Sequence, residues 1–347
     1  MAAITPAYGY ESLLQIGREA TWNTAVAATH KFGIIELEVT PRLGTYMGRT
    51  LASSISKPAM YQGAVSYEVR TLMTLSYDYL MLFFDGVMGT ATFGANGGTT
   101  TGAGPYTHTW LEKSLLNSYT LECVEGNRGA AGATGKCNRY YGAKIKSIKI
   151  HGEAVPTEGS ACTLEVVFVA PSVTVGFTTT TALVLATETP AYFYHATTVD
   201  DGTADAFVAG PTTNVIMKNF DITVDNVVAE RYMIGLASMF EPQRNGFVSV
   251  QVNVVKELQT TAMLSAAAAF TQGSPKLVFD NAGSGAANRQ FTFDVGKAYI
   301  TNYRNPIRGP EIVEQTATWE AIYDSGNASA LKLINISGQA TITTAPA

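Results

Sequence analysis

The amino-acid sequence predicts a mainly β protein made of two tandem β-sandwich domains, each with a short flanking helix and a long inter-strand loop. Three observations predict it. Several short runs alternate apolar and polar residues, the period of a half-buried strand. The segment QGAVSYEV, from Gln62 to Val69, returns as NGFVSVQV, from Asn245 to Val252, so that Gly-x-Val-Ser-x-x-Val is written twice. Around the two copies further landmarks recur in one order, which reads as a tandem duplication.

Length and composition agree with this reading. At 347 residues the chain is too long for one small core and suits two domains. Hydrophobic residues make up 46% and charged residues only 15%, well under the usual quarter. Such a chain is expected to hide much of its surface, against itself or against its own copies. A net charge of -5 argues against a protein that grips nucleic-acid phosphates, which needs a basic patch.

The elements divide the chain into an N-terminal arm (1–33), a first domain (34–170), a connecting segment with strands of its own (171–214) and a second domain with a C-terminal tail (215–347). In the first domain Ile35, Leu37 and Val39 oppose Glu36, Glu38 and Thr40; in the second, Phe220, Ile222 and Val224 oppose Asp221, Thr223 and Asp225. After each long loop, Val65, Tyr67 and Val69 alternate with Ser66, Glu68 and Arg70, and Val248, Val250, Val252 and Val254 with Ser249, Gln251 and Asn253. Each half then turns helical, over Tyr77 to Phe84 and over the alanine-rich run from Thr261 to Phe270. The halves also close alike. Gly142 precedes Pro156 as Gly296 precedes Pro310, and Thr163-Leu-Glu165 answers Thr318-Trp-Glu320. Turns are expected at Asp201-Gly202 and Gly210-Pro211, and loop tips at Gly89 to Pro105 and Gly126 to Gly135.

The loops between the early strands are the unusual part. Thr40 to Gln62 and Asp225 to Asn245 place some 20 residues where a hairpin usually needs about 2–5. One carries Arg42, Tyr46, Met47, Arg49, Leu51 and Pro58, the other Arg231, Tyr232, Met233, Leu236, Met239, Phe240 and Pro242. Apolar side chains and arginines on a long arm point to docking on another protein.

Chemistry is not written in the sequence. His30, His108, His151 and His195 are scattered, without ligand spacing, and read as surface or structural residues. Cys123, Cys137 and Cys162 are odd in number and lack a Cys-x-x-Cys pair, so buried thiols are expected rather than disulfides or zinc. There is no Gly-x-Ser-x-Gly elbow and no phosphate-binding Gly-x-x-x-x-Gly-Lys loop. Glu36 with Glu38 reads as a wet strand face rather than a catalytic pair. Lys144, Lys146 and Lys149 are expected to blunt a sheet edge. The opening MAAITPAYGYE has neither a basic nor an apolar signal region, and no apolar run reaches the roughly 18 residues of a membrane span. No enzyme activity, cofactor, metal or membrane contact is expected.

The stretch ESLLQIGREATWNTAVAATHKF resembles the opening of tail tube proteins of long-tailed, siphovirus-type bacteriophages, where a Gly-x-Glu-x-Thr-Trp-Gly-Thr-like motif precedes the first tube strand. Gly17, Glu19, Thr21, Trp22 and Thr24 match, and Asn23 replaces a glycine, which a turn tolerates because Asn also enters the left-handed region. The local motif covers only the first tenth of the chain, while the architecture extends over both halves.

The resemblance implies tube-type β-sandwich domains whose early loop contacts the next ring of a stack and one of whose sheets lines a lumen. On that basis the lumen-facing residues are Glu36, Glu38, Ser66, Glu68, Asp221, Thr223, Ser249, Gln251 and Asn253. The stacking loops are represented by Arg42, Tyr46, Met47, Arg49, Leu51, Arg231, Tyr232, Met233, Leu236, Met239 and Phe240. Two domains per chain imply trimeric, pseudo-hexameric rings. DNA is then transiting cargo without specific binding, and the implied partners are the chain itself, a tape measure protein, a tail terminator and baseplate proteins. The location is the virion tail after synthesis in the host bacterial cytoplasm. Two alternatives differ in their expectations: a baseplate, decoration or adhesin subunit forms no open-ended filament, and a carbohydrate-active enzyme presents a cleft with paired carboxylates.

Overall fold

The computed structural model describes residues 12–47, 60–89, 91–95, 106–124, 137–154, 160–180, 183, 185, 189–199, 209–210, 213–214, 217–232, 239–258, 261–281, 289–307, 310 and 312–337. The chain opens with β1 (Leu13–Arg18) and β2 (His30–Phe32), so part of the expected arm is built into the sheet, with Leu14 and Ile16 fully buried. β3 (Glu36–Met47) and β4 (Met60–Thr74) form a long antiparallel pair before α1 (Leu80–Met88). β5 (Thr92–Ala95), β6 (Tyr106–Leu111) and β7 (Tyr119–Val124) lead to the 17-residue β8 (Cys137–Glu153) and to β9 (Thr163–Ala170).

The connecting segment adds β10 (Ser172–Val175), β11 (Ala196–Val199), β12 (Ala209–Gly210) and β13 (Thr213–Asn214). β12 pairs β13; Pro211 of the expected Gly210-Pro211 turn, Asp201-Gly202 and the tip at 126–135 lie outside the described residues. The second half contains β14 (Met217–Asp225), β15 (Val228–Arg231), β16 (Phe240–Arg244), β17 (Ser249–Glu257), α2 (Ala262–Ala268), β18 (Lys276–Asp280), β19 (Gln290–Asp294), β20 (Ala298–Arg304), β21 (Glu314–Ala321) and β22 (Lys332–Ser337).

One wall of the molecule is a continuous antiparallel run, β3-β4-β9-β8-β14-β17-β21-β20. It is a single four-strand order written twice and joined where β8 pairs β14. The registers agree as well as the order. Glu38 opposes Arg70 as Asp221 opposes Asn253, and Val69 opposes Phe168 as Val252 opposes Trp319. A bulge between Ile145 and Ser147 in β8 recurs between Ile300 and Asn302 in β20. Bulges re-aim a strand at a defined place, so the two halves share a local irregularity as well as an order. The ladder corrects one landmark: Thr318-Trp319-Glu320 answers Val167-Phe168-Val169, not Thr163-Leu164-Glu165. A Thr-x-Glu triplet fits any alternating strand and does not by itself fix register.

The second sheet, β13-β12-β11-β18-β19-β22-β6-β5, does not repeat: β22 lies between β19 of the second half and β6 of the first. One hydrophobic cluster fills the space between the two sheets and runs through both halves. Phe84 of α1, for example, meets Trp110 and Phe293 edge-on. Every residue of α1 is buried, as expected for a helix apolar on all sides, whereas α2 buries only Met263 and Ala266.

β8 is central rather than an edge. Its first part pairs β7 and β10, and its second part pairs β9 and β14. Its lysines therefore blunt no edge but are held by acids: Lys144 by Glu241 at 2.7 Å, Lys146 by Glu68 at 3.2 Å and Lys149 by Asp221 at 3.1 Å.

The opening motif is a clip between the N-terminal segment and β8. The buried Glu19 carboxylate accepts hydrogen bonds from Asn23 N, Thr120 Oγ1 and Gly142 N, and Trp22 Nε1 donates to Gly142 O. Gly17 has no room for a Cβ, which would stand 2.5 Å from Ala27 O. Asn23 has φ of 59°, the left-handed conformation that makes it a fair substitute for glycine.

Candidate assembly surfaces

The face of the tandem wall that points away from the core carries a ladder of charges. Strand alternation places Glu36, Glu38, Glu68, Asp221, Thr223, Ser249, Gln251 and Asn253 there, as expected. The same alternation adds cations, and these pair with the acids. Arg70 reaches Glu165 at 2.8 Å, Glu36 at 3.2 Å and Glu38 at 3.8 Å. Its hydrogen bond and attraction to Glu165 hold the guanidinium still more firmly protonated. Arg42 pairs with Glu68, and Asp221 meets both Lys149 and His151 Nδ1, the latter at 2.8 Å. Ser249 and Gln251 hydrogen-bond Glu320, and Thr318 Oγ1 donates to Asn253.

Ser66 departs from the expectation. It is fully buried, because Glu230 of β15 covers it and accepts from its Oγ at 3.1 Å. Lys149, His151, Glu165 and Glu320 belong to the face but are absent from the sequence-based set, and Arg70, which alternation puts on the same side, is not counted in it. Cross-strand register brings them together, and only pairing reveals it.

The two long loops are hairpins. In the first, β3 and β4 pair as far as Met47 and Met60, with a bulge between Leu43 and Thr45. At its base Gly44 and Gly63 pack backbone to backbone, a Cβ on Gly63 meeting Gly44 O at 3.1 Å. Arg42 sits in the strand, tied also to Glu230 at 3.2 Å. The backbones of Tyr46 and Met47 close β3, while Arg49 and Leu51 lie outside the described residues.

The second hairpin, β15–β16, folds over the first half of the same chain. Glu241 holds Lys144, Arg244 Nη2 donates to Val87 O at 2.7 Å, and Phe240 lies 5.9 Å from Trp22, ring to ring. Met239 is buried, and Phe240 makes this contact within the chain. Arg231 sits 5.5 Å over the Phe240 ring, and the exposed Tyr232 donates to Glu230 at 2.6 Å. Met233 and Leu236 lie outside the described residues.

Cys123, Cys137 and Cys162 are buried and none is in a disulfide. Burial pushes the Cys162 thiol up to about 12, so it stays a thiol. His30 and His108 are buried. Among the described residues, no group of three His, Cys, Asp or Glu is placed to hold a metal ion, and no helix is long and apolar enough to cross a membrane.

The described surfaces are thus a repeated sheet wall with a paired-charge face, one hairpin at its end and one folded back on the chain. The family model for phage tail tube proteins matches residues 9–321. The chain belongs to the phage tail tube family. No curated protein matches it. As a tail tube protein it is a structural component of the virion tail that self-assembles into the tube. The matched span takes in the opening clip, both halves of the tandem wall and the connection between them.

Proposed function

We propose that three copies of this chain close into a ring of pseudo-sixfold symmetry, and that such rings stack into the hollow tail tube of a siphovirus-type phage through which DNA enters the host. The tandem wall carries this reading. Inside the chain the first half meets the second by pairing β8 with β14. β20 and β3, the counterparts of β8 and β14, stand at the two ends of the wall. Repeating the internal junction sets β20 of one chain against β3 of the next, and a heterologous contact of this kind forms a ring when its rotation closes. The Lys149–Asp221 pair of the internal junction has Arg304 and Glu38 as its counterpart between chains. Ring closure also pairs the two open edges.

Three chains of eight strands, about 4.8 Å apart and tilted by about 40°, give a wall with a backbone diameter of roughly 50 Å. Barrels of about 16–18 strands already leave an aqueous channel. The second sheet packs on one face of the wall and does not repeat, so the charged face lines the bore. There Arg42, Arg70, Lys146 and Lys149 are each held by carboxylates, which leaves passing phosphates little to grip. The role implies a tape measure protein, a tail terminator and baseplate proteins as partners, and synthesis in the host bacterial cytoplasm.

Negative-stain electron microscopy of the purified protein tests the proposal. Open-ended hollow filaments are expected. Closed oligomers or isolated molecules would favour a baseplate, decoration or adhesin subunit.

A further inference from the structure

The internal junction also shows what each half does with its arm. Hairpin β15–β16 leaves the end of β14 and covers one end of the first half's open face. On that face Ser66, Lys144 and Val169 are no more than 2% exposed, Ser66 meeting Glu230 and Lys144 meeting Glu241 of the hairpin. Register matches these three to Ser249, Tyr299 and Glu320 of the second half.

Among the described residues no hairpin covers that second surface. At Ser249 and Glu320 it opens onto a groove of about 600 Å³ lined also by Phe247, Val248, Ile322 and Tyr323. Phe247 is 97% and Tyr323 65% exposed, an apolar patch that a lone chain leaves in water. Glu112 also lines the groove, and its buried Oε1 meets no hydrogen-bond partner.

The missing cover has a counterpart. Hairpin β3–β4 stands to the first half as β15–β16 stands to the second, and its bulge falls just past Arg42, the position that matches the end of β14. It rises from the end of the wall, where the chain has no further half to receive it, and Leu43 on it is 59% exposed.

We infer that hairpin β3–β4 of one chain seats in the Phe247–Tyr323 groove of the next chain in the same ring. The inference rests on the ring proposed above and gives this arm a lateral role in place of the expected inter-ring one. The second copy is the occupant because the covered groove of the first half already shows the fit.

Cross-linking within assembled tubes tests it. Thr45→Cys combined with Gln251→Cys places two thiols at exposed positions in a chain whose own cysteines are buried. After reaction with a flexible bis-maleimide, a denaturing gel is expected to show covalent dimers and trimers and nothing larger. A ladder ending at another number supports the docking but contradicts the trimer. An unending ladder puts the arm between rings and overturns the inference, as does the absence of cross-links. Independently, Phe247→Asp with Tyr323→Asp should reduce ring formation by more than about tenfold, since buried aromatics dominate such contacts. Its melting temperature should not change. Rings that form as readily as wild type would also overturn the inference.

Discussion

Asn23 and Glu19 show how single residues make the opening motif legible. A non-glycine residue in the left-handed region costs about 1–2 kcal/mol, and Asn enters it more readily than other side chains. Asn23→Ala should therefore lower stability by about 1 kcal/mol, while Asn23→Gly should leave it nearly unchanged; equal melting temperatures for the two variants would contradict the role given to φ. Asp85 makes a second prediction. Its side chain is fully buried, takes a hydrogen bond from Asn117 Nδ2 at 2.7 Å and lies 3.3 Å from Arg18. Burial pushes its carboxyl up to about 6, against the pull of Arg18. Between the ordinary carboxylate range and about 6, the folded chain holds a proton that the unfolded chain has lost. Raising the pH through that window therefore disfavours the folded state. Asp85→Asn removes the effect, so the variant's melting temperature should gain on wild type as the pH rises from about 4 to about 7. A pH-independent difference would contradict it.

At the scale of elements, alternation located the tandem wall and its open face, because one residue in two along a half-buried strand reports the core directly. It could not report the burial of Ser66, which Glu230 covers from a segment distant in sequence. Nor could it show that the loops are hairpins, since their strands run on past the apolar pattern. The helices differ in a way that a stability measurement can read. Phe84→Ala in the fully buried α1 should cost about 3–5 kcal/mol, whereas Leu264→Ala, on a helix that buries only two residues, should change stability by less than about 0.5 kcal/mol. The open face allows a functional test. Glu36→Lys, Gln251→Lys and Asn253→Lys together remove only exposed or half-exposed contacts, which contribute little to stability. Tubes should still form and DNA ejection should slow; ejection at the wild-type rate would contradict a bore lined by this face.

For the whole molecule, the two similar halves are not independent bodies. β22 ties the second sheet of one half to that of the other, and Phe84 packs on both Trp110 and Phe293. A single unfolding transition is therefore expected despite the repeat, and two separated transitions would contradict the shared core. In the proposed ring the repeat serves assembly, because it places inside one chain a junction that the ring otherwise makes only between chains. The mass of one ring released from the tube, compared with its end-on image in the electron microscope, tests this most directly. The account predicts six lobes around a central hole and the mass of three 36.9 kDa chains. Six lobes with six chains, or a ring without a hole, would contradict it.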